Sequence, residues 1–189
     1  MAVGNNRGRN EEEALPQRIE ELFNEHGVRI YNLLLRLTGN RDDAADLTQE
    51  VFLRARKGLE RFEKRSSERT WLIRIAVNAG RDHLRRRRRE PGSFEAALAS
   101  GAVDEPEAPV ERADRALEEA EARRMLSATL ADLEPDARAV LLLRETHGLS
   151  YQELAEALGV PLGTVQSRLS RARWALRRAI LRRYPDWRP

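Results

Sequence analysis

Hydrophobic residues recur every three to four positions along most of this chain, which is the spacing of one face of an α-helix. The first such segment spans residues 15–37, could break near Gly27 and ends before Gly39, a favourable helix stop. The residues predicted to form its buried face are Leu22, Ile30, Leu33, Leu34 and Leu37.

Two more helices are predicted in the N-terminal half. The first follows Asn40, a good N-cap residue, and covers "DDAADLTQEVFLRARK", with Asp42 and Asp43 where the helix dipole favours acids. The next begins near residue 69, after the loop "LERFEKRSSER", and runs into the five arginines at 85–89.

Four helices are predicted in the C-terminal half. One opens with Pro135, which suits a first helical position, and the next carries Ser150 and Glu153 as an S-x-x-E capping box. The predicted spans are 110–131, 135–148, 150–159 and 162–183. Neither a strand pattern nor an internal repeat is evident, so the predicted fold class is all-α.

A segment rich in proline, glycine and acids separates the two sets of helices. Residues 90–114 contain three prolines and two glycines, with a short helical turn expected at 94–99. We therefore predict two small helical domains joined by a flexible acidic linker. The expected division is a disordered tail at 1–13, a first domain at 14–90, a linker at 91–110 and a second domain at 111–189.

Composition narrows the class of protein. Charged residues make up 34% of the 189 residues and aromatic residues 5%, which is typical of a soluble helical protein. The chain has no cysteine and three widely spaced histidines, so we predict no disulfide, metal site or cofactor. No apolar run approaches the roughly 20 residues that span a bilayer, and the N-terminus lacks a secretory signal, so a cytoplasmic protein without membrane insertion is expected.

The net charge of +3 is unevenly distributed. Residues 60–89 hold eleven basic residues against four acids, and residues 90–121 hold ten acids against two arginines. From residue 164 to the end, eight arginines accompany one acid. Two basic blocks around an acidic middle indicate nucleic-acid binding near both ends of the chain, with solvated helix faces as the alternative.

Residues 150–183 have the proportions of a helix-turn-helix. Small Ala155 lets the two helices approach closely, Gly159 permits a left-handed turn, and Val165 fills the angle between the helices. These residue types at positions i, i+4 and i+10 favour a DNA-binding element.

The last helix has an apolar face and an opposite polar face without acids. The apolar face comprises Val165, Leu169, Ala172, Leu176 and Ile180, and the polar face comprises Gly163, Ser167, Ser170, Arg171, Trp174 and Arg178, flanked by Gln166 and Arg168. Arginine can pair with guanine and glutamine with adenine in the major groove, so DNA contact is predicted, with a merely solvated helix as the alternative. Trp174 either contacts a protein partner or folds back on the C-terminal "YPDWRP".

The second helix combines an apolar face with an acidic one. It would bury Ala44, Leu47, Val51, Phe52 and Ala55 and expose Asp42, Asp46, Gln49, Glu50 and Leu53. A leucine within an acidic stripe is typical of a protein-docking face, although an isolated surface leucine would look the same.

The third helix carries a mixed aromatic and polar stripe. Its members are Trp71, Arg74, Asn78, Arg81, Asp82 and Arg85. Such a face can stack unpaired bases, bond their edges and hold phosphates, and the arginines at 85–89 would add salt-dependent affinity. Plain core packing is the alternative for Trp71.

These segments together resemble an extracytoplasmic-function (ECF) sigma factor, an initiation subunit of bacterial RNA polymerase. "DAADLTQEVFLRA" resembles the part of sigma region 2 that docks on the clamp coiled coil of the β′ subunit, and "TWLIRIAVNAGRDHLRR" the part that melts and reads the minus-10 element. "LEPDARAVLLLRETHGLSYQELAEALGVPLGTVQSRLSRAR" resembles region 4, which reads the minus-35 element. The likeness covers roughly residues 15–90 and 110–182, and nothing resembles sigma regions 1 and 3.

The resemblance implies three sets of contact residues. Polymerase docking would involve Asp46, Gln49, Glu50 and Leu53. Minus-10 reading would involve Trp71, Arg74, Asn78, Arg81, Asp82 and Arg85, with a pocket for a flipped-out base in the loop 62–70. Minus-35 reading would involve Thr164, Gln166, Ser167, Arg168, Ser170 and Arg171. Asp82 stands where the family often has Asn, and an acid there favours a donor such as the cytosine amine.

The resemblance also implies the partners. These are core RNA polymerase, through the β′ clamp coiled coil and the β flap, promoter DNA, and an anti-sigma factor that holds the protein inactive. The acidic linker resembles the family's connector, which passes near the RNA path. A self-sufficient helix-turn-helix regulator would need a dimer, for which no heptads are evident, and an enzyme would need a nucleophile–base pair, a P-loop or a metal cluster, none of which the sequence offers.

Overall fold

Seven α-helices carry the fold of the computed structural model, which describes residues 7–62, 66–89 and 113–186, with side chains from residue 15 onward except 113–120 and 123. The helices are α1 (Arg7–Thr38), α2 (Arg41–Gly58), α3 (Glu68–Arg87), α4 (Ala113–Ala131), α5 (Pro135–Leu141), α6 (Tyr151–Leu158) and α7 (Leu162–Arg183). A 3-10 turn (Leu59–Arg61) follows α2 and a π turn (Leu142–Thr146) follows α5. The all-α prediction is confirmed for the described residues, and the turn expected at 94–99 lies outside them.

The first helix is longer than the sequence pattern predicts. It begins at Arg7 rather than at residue 15, and it continues through Gly27, so the predicted break is wrong. A glycine inside a helix costs only about 1 kcal/mol, and the burial of Leu22 and Ile30 on either side offsets that cost. All five residues predicted for its apolar face are buried.

The first three helices pack around a shared core. The five residues predicted to be buried on α2 are all buried, and Asn40 caps the helix by accepting a hydrogen bond from the Asp43 backbone N–H at 2.9 Å. A Cβ on Gly80 of α3 would overlap the side chain of Leu37 on α1. A larger residue at position 80 would therefore require the buried Leu37 side chain to shift.

The helix predicted at 135–148 ends differently from expectation. Its α-helical part stops at Leu141 and a π turn completes it, closed by a 3.1 Å bond from the Leu149 N–H to the Leu143 carbonyl. Leu141, Leu142 and Leu143 are all buried although consecutive residues point in different directions. This segment is buried on several sides because it lies between α7 and the N-terminal helices.

The N-terminal and C-terminal sets of helices pack against each other, with α3 lying on α5 and α6. The buried Arg138 of α5 connects them: it donates to the Leu37 carbonyl at the end of α1 and, at 2.6 Å, to the Ala131 carbonyl at the end of α4. Burial, followed by repulsion from Arg88, lowers the pKa of Arg138 to about 10. The guanidinium therefore stays charged at neutral pH and caps two helix ends whose last carbonyls lack helical partners.

Candidate functional site

The outer face of α2 presents the residues predicted to dock a protein. Asp46 and Gln49 are exposed, and Leu53 keeps 59% of its surface exposed. Glu50 is half-buried and accepts a 2.6 Å bond from Arg54, one turn further along. An exposed leucine beside carboxylates suits a partner with an apolar pocket and a basic rim.

The stripe predicted on α3 is divided between open and packed residues. Arg74, Asn78 and Asp82 are exposed. Trp71 is half-buried: its ring lies 4.8 Å from that of Phe62, and a Cβ on Gly58 would lie 3.2 Å from it. Packing against protein therefore accounts for most of the Trp71 ring, and only part of it faces solvent.

The other two members of the stripe contact the C-terminal half. Arg81 donates through Nε and Arg85 through Nη2 to the same oxygen, Oδ1 of Asp136, at 2.7 and 2.9 Å. The Arg81 side chain is only 12% exposed in this arrangement. One carboxylate oxygen thus receives two guanidinium donors, as a phosphate oxygen could.

Other arginines of the 85–89 run are also paired. Arg87 binds Asp43 of α2 at 2.6 Å, within the N-terminal set of helices. Arg88 reaches the C-terminal half, where it binds Glu134 at 2.6 Å and the Leu133 carbonyl at 2.9 Å. Three arginines of the predicted phosphate-binding run, Arg85, Arg87 and Arg88, are therefore paired with carboxylates in this conformation, and Arg86 and Arg89 are exposed.

A cleft of about 180 Å³ lies between α3 and α6, and it includes Ser66 and Thr70 of the loop 62–70 predicted to form the base pocket. Residues 63–65 of that loop lie outside the described part of the chain. The residues that line it are Ser66, Thr70, Trp71, Arg74 and Glu156. Ser67 caps α3 by accepting from the Thr70 N–H at 3.1 Å, which fixes the floor of the cleft. Glu156, which the sequence analysis did not single out, places a carboxylate from the C-terminal half in the same cleft as Arg74.

The helix-turn-helix is formed as the sequence predicts. Ser150 and Glu153 make both bonds of the capping box, and the bonds that Glu153 accepts from Ser150 lower the pKa of its carboxyl. Gly159 ends α6 with a φ of 64°, in the left-handed region, and Val165 is fully buried between the helices.

The polar face of α7 is open. Gln166, Ser167, Ser170 and Arg171 are exposed, while Thr164 and Arg168 are half-buried. Arg171 folds along the helix and donates through Nε to the Ser167 carbonyl at 3.2 Å. On the opposite face, Val165, Leu169 and Ala172 are buried as predicted, whereas Leu176 and Ile180 are only half-buried.

Trp174 is the most conspicuous exposed aromatic residue among those described. It keeps 60% of its surface exposed, and the Arg178 guanidinium carbon lies 4.6 Å from its ring centroid. The last residues of the "YPDWRP" tail, 187–189, lie outside the described part of the chain.

A second cleft, of about 540 Å³, lies between α1 and the π turn. Arg29, Arg36 and Arg69 line it together with His147, whose carbonyl accepts a bond from Arg69. Burial lowers the pKa of His147 to about 4, and the three arginines add to this effect. His147 is therefore neutral at pH 7 in the packed arrangement.

The sequence patterns did not identify four residues that link the two halves of the chain: Asp136, Arg138, His147 and Glu156. Each looks like an ordinary surface residue of its own helix or turn, and only its neighbours from the other half of the chain give it a role. Among the described residues, no group of histidines and carboxylates could hold a metal ion, and no helix is long and apolar enough to cross a membrane.

Two family models match the helices just described. Sigma-70 region 2 matches residues 22–90, and Sigma-70, region 4 matches residues 123–176. The first match covers about half of α1 and all of α2 and α3, and the second covers α5, α6 and most of α7. The fold and its helix-turn-helix thus define a two-part sigma protein of transcription initiation.

Similarity to curated relatives identifies the family to which the chain belongs. The ECF RNA polymerase sigma factor SigE of Mycolicibacterium smegmatis is 37% identical over 84% of this chain, which spans 60% of that relative's length. The RNA polymerase sigma-H factor of Pseudomonas aeruginosa is 34% identical over 80% of each chain, and the ECF RNA polymerase sigma-E factor of Haemophilus influenzae is 33% identical over 86% of this chain and 91% of its own. The chain belongs to the ECF RNA polymerase sigma factors.

Solved structures share the fold. The sigma factor RpoE in complex with the anti-sigma factor NepR from Bartonella quintana is 25% identical, with a TM-score of 0.62 over 87% of this chain and 97% of that one. CnrH in complex with the cytosolic domain of CnrY is 26% identical, with a TM-score of 0.59 over 85% of this chain and 86% of that one.

Proposed function

We propose that this chain binds core RNA polymerase and directs it to promoters that carry a minus-35 and a minus-10 element. The observation that carries the proposal is the open, acid-free polar face of α7 within a well-formed helix-turn-helix, in a chain that also matches sigma region 2. The protein does no covalent chemistry and acts in the cytoplasm, where polymerase and promoter DNA meet.

Each set of predicted contact residues would perform one part of this function. Asp46, Gln49, Glu50 and Leu53 of α2 dock on the β′ clamp coiled coil, and the C-terminal half binds the β flap. Thr164, Gln166, Ser167, Arg168, Ser170 and Arg171 of α7 lie along the major groove of the minus-35 element, where amide and guanidinium groups pair with base edges. The boundaries proposed for the two DNA-reading domains remain 14–90 and 111–189.

Melting of the minus-10 element follows from capture of unpaired bases by α3. Extruding a base costs a few kcal/mol, which stacking and ion pairs must recover. The stripe of Trp71, Arg74, Asn78, Arg81, Asp82 and Arg85 supplies one aromatic edge, an amide and three cations for this purpose. An anti-sigma factor is the proposed regulator, because RpoE, which shares the fold, is solved in complex with one.

The test is in-vitro transcription from a random promoter library, with and without core RNA polymerase. We expect transcripts only when both proteins are present, from promoters that share two spaced elements. Leu53→Ala should reduce transcription at limiting polymerase about tenfold, because truncation of an interface anchor costs about 1–2 kcal/mol. Leu181→Ala is the control, since Leu181 is an exposed leucine beyond both matched ranges.

Two results would count against the proposal. Selection of a palindromic site by the chain alone would indicate an ordinary regulator. Equal transcription by the Leu53 and Leu181 variants would show that Leu53 of α2 is not part of the surface that docks on polymerase.

A further inference from the structure

Packing within the chain does not account for Trp174. Most of its surface is exposed, and the buried residues Val165, Leu169 and Ala172 lie on the other side of α7. The Arg178 guanidinium carbon lies 4.6 Å from the centroid of its ring, so the two side chains form a cation–π pair. A lone exposed apolar residue is common on protein surfaces, but tryptophan and arginine are the residue types that most often dominate binding interfaces.

The Trp174–Arg178 pair continues the face of α7 that is proposed to read the minus-35 element. At about 100° per residue, both members lie within about 20° of Ser167 around the helix axis, at about 10.5 Å and about 16.5 Å further along it. Ser167 and Arg171 are exposed on this face, and Arg171 donates to the Ser167 carbonyl. The pair is therefore contiguous with the predicted DNA contacts.

The charge and direction of this face favour the DNA backbone as its partner. No acidic residue occurs in α7. A straight helix whose first turns lie in the curved major groove leaves that groove within a few turns, so its C-terminal end meets the sugar–phosphate backbone. The indole N–H and the guanidinium are hydrogen-bond donors without acceptors, which suits phosphate oxygens.

We propose that Trp174 and Arg178 bind a phosphate of the DNA backbone beside the minus-35 element and fix the depth and angle of α7 in the major groove. This inference rests on the proposed function, because it adds a backbone contact to the helix that reads the bases. Arg178 supplies the positive charge, and the Trp174 ring holds its guanidinium in place. Such a contact adds affinity that does not depend on base sequence.

The first test measures the affinity of the holoenzyme for a fluorescent promoter that the unmodified chain has selected from the library. Trp174→Ala should weaken binding about tenfold, which corresponds to about 1.4 kcal/mol. The factor should be the same for promoters with single base changes in the minus-35 element, because loss of a phosphate contact weakens binding uniformly. The variant should fold normally, since the ring is mostly exposed and alanine favours a helix.

The salt dependence of promoter binding separates a phosphate contact from an indirect effect. Arg178→Gln should reduce the slope of log affinity against log salt concentration by about 0.9, the value for one neutralised phosphate of B-DNA. Arg177→Gln is the matched control: Arg177 is also exposed, but it lies about 80° away from Ser167 around the helix axis. Its slope should stay close to that of the unmodified chain.

Photocrosslinking identifies the partner of Trp174. Benzoylphenylalanine in place of Trp174 should attach to DNA beside the minus-35 element when the holoenzyme–promoter complex is irradiated. The same group in place of Arg177 should attach to DNA much less.

Attachment to a polymerase subunit or to a second copy of the chain would assign Trp174 to a protein interface and overturn the inference. No attachment to DNA, unchanged affinity of Trp174→Ala, or an equal change of slope in Arg177→Gln would also overturn it. If the unmodified chain selects no promoter with polymerase, the proposed function fails. Normal promoter selection with full affinity in Trp174→Ala would refute this inference alone.

Discussion

At the scale of single residues, the contact between the two halves includes polar side chains that are wholly or partly removed from solvent. His147 is one of them: burial, and then Arg69, Arg36 and Arg29, lower its pKa to about 4. The unfolded chain has an ordinary histidine pKa of about 6.5. The unfolded state therefore binds a proton that the folded state rejects between these two values, and stability falls as the pH drops through this window.

We expect His147→Gln to flatten this part of the pH dependence, because glutamine does not titrate. Between about pH 7.5 and about pH 5, the unmodified chain should lose on the order of 1–2 kcal/mol more unfolding free energy than the variant. Urea titrations at both pH values measure the difference. An equal loss of unfolding free energy in both proteins would show that folding does not change the proton affinity of His147. His147 would then not be held in the packed arrangement.

At the scale of elements, the helix-turn-helix is fixed by local signals. The capping box at Ser150 starts α6, and Gly159 ends it with a φ of 64°. Only glycine adopts this conformation freely, since a Cβ in the left-handed region costs roughly 1–2 kcal/mol. Gly163 lies four residues further on in the first turn of α7, where a Cβ would meet open space.

These two glycines give a matched pair of substitutions. Gly159→Ala should lower the unfolding free energy by about 1–2 kcal/mol through backbone strain, whereas Gly163→Ala should be neutral or stabilising by up to about 1 kcal/mol through helix propensity. Urea denaturation of both variants measures the contrast. Equal effects would mean that the turn at Gly159 tolerates a side chain and does not fix the angle between α6 and α7.

The elements that sequence reasoning predicted well are those fixed by nearby residues. The apolar spacing of α2 located five of its six buried residues, and Ser150, Glu153 and Gly159 located both ends of α6, because caps and periodicity act over a few positions. The π turn after α5 was not predicted. It begins among three consecutive buried leucines that lie between distant parts of the chain, and such contacts leave no local sequence signal.

The pairing of Asp136 with Arg81 could not be predicted in the same way. The two residues are 55 positions apart, and each fits a purely local role: Asp136 as a first-turn acid and Arg81 as part of a basic helix. Most of the predicted site residues on α2 and α7 are exposed in the structure, but local sequence patterns do not reveal that Arg81 of the α3 stripe contacts the other half of the chain.

At the scale of the whole molecule, the two predicted DNA-reading faces are in different states. The polar face of α7 is open, whereas Arg81 and Arg85 of α3 are engaged by Asp136. Upstream recognition in the major groove is thus compatible with the packed arrangement, whereas a DNA strand that bound both Arg81 and Arg85 would have to displace Asp136.

Permanganate reactivity of a promoter selected from the library, with the chain alone, core polymerase alone, and both, shows directly whether this chain melts promoter DNA together with polymerase. We expect unpaired thymines in the minus-10 element only when both proteins are present, together with protection of the minus-35 element. Protection of a palindromic site by the chain alone, with no unpaired thymines when polymerase is added, would contradict it.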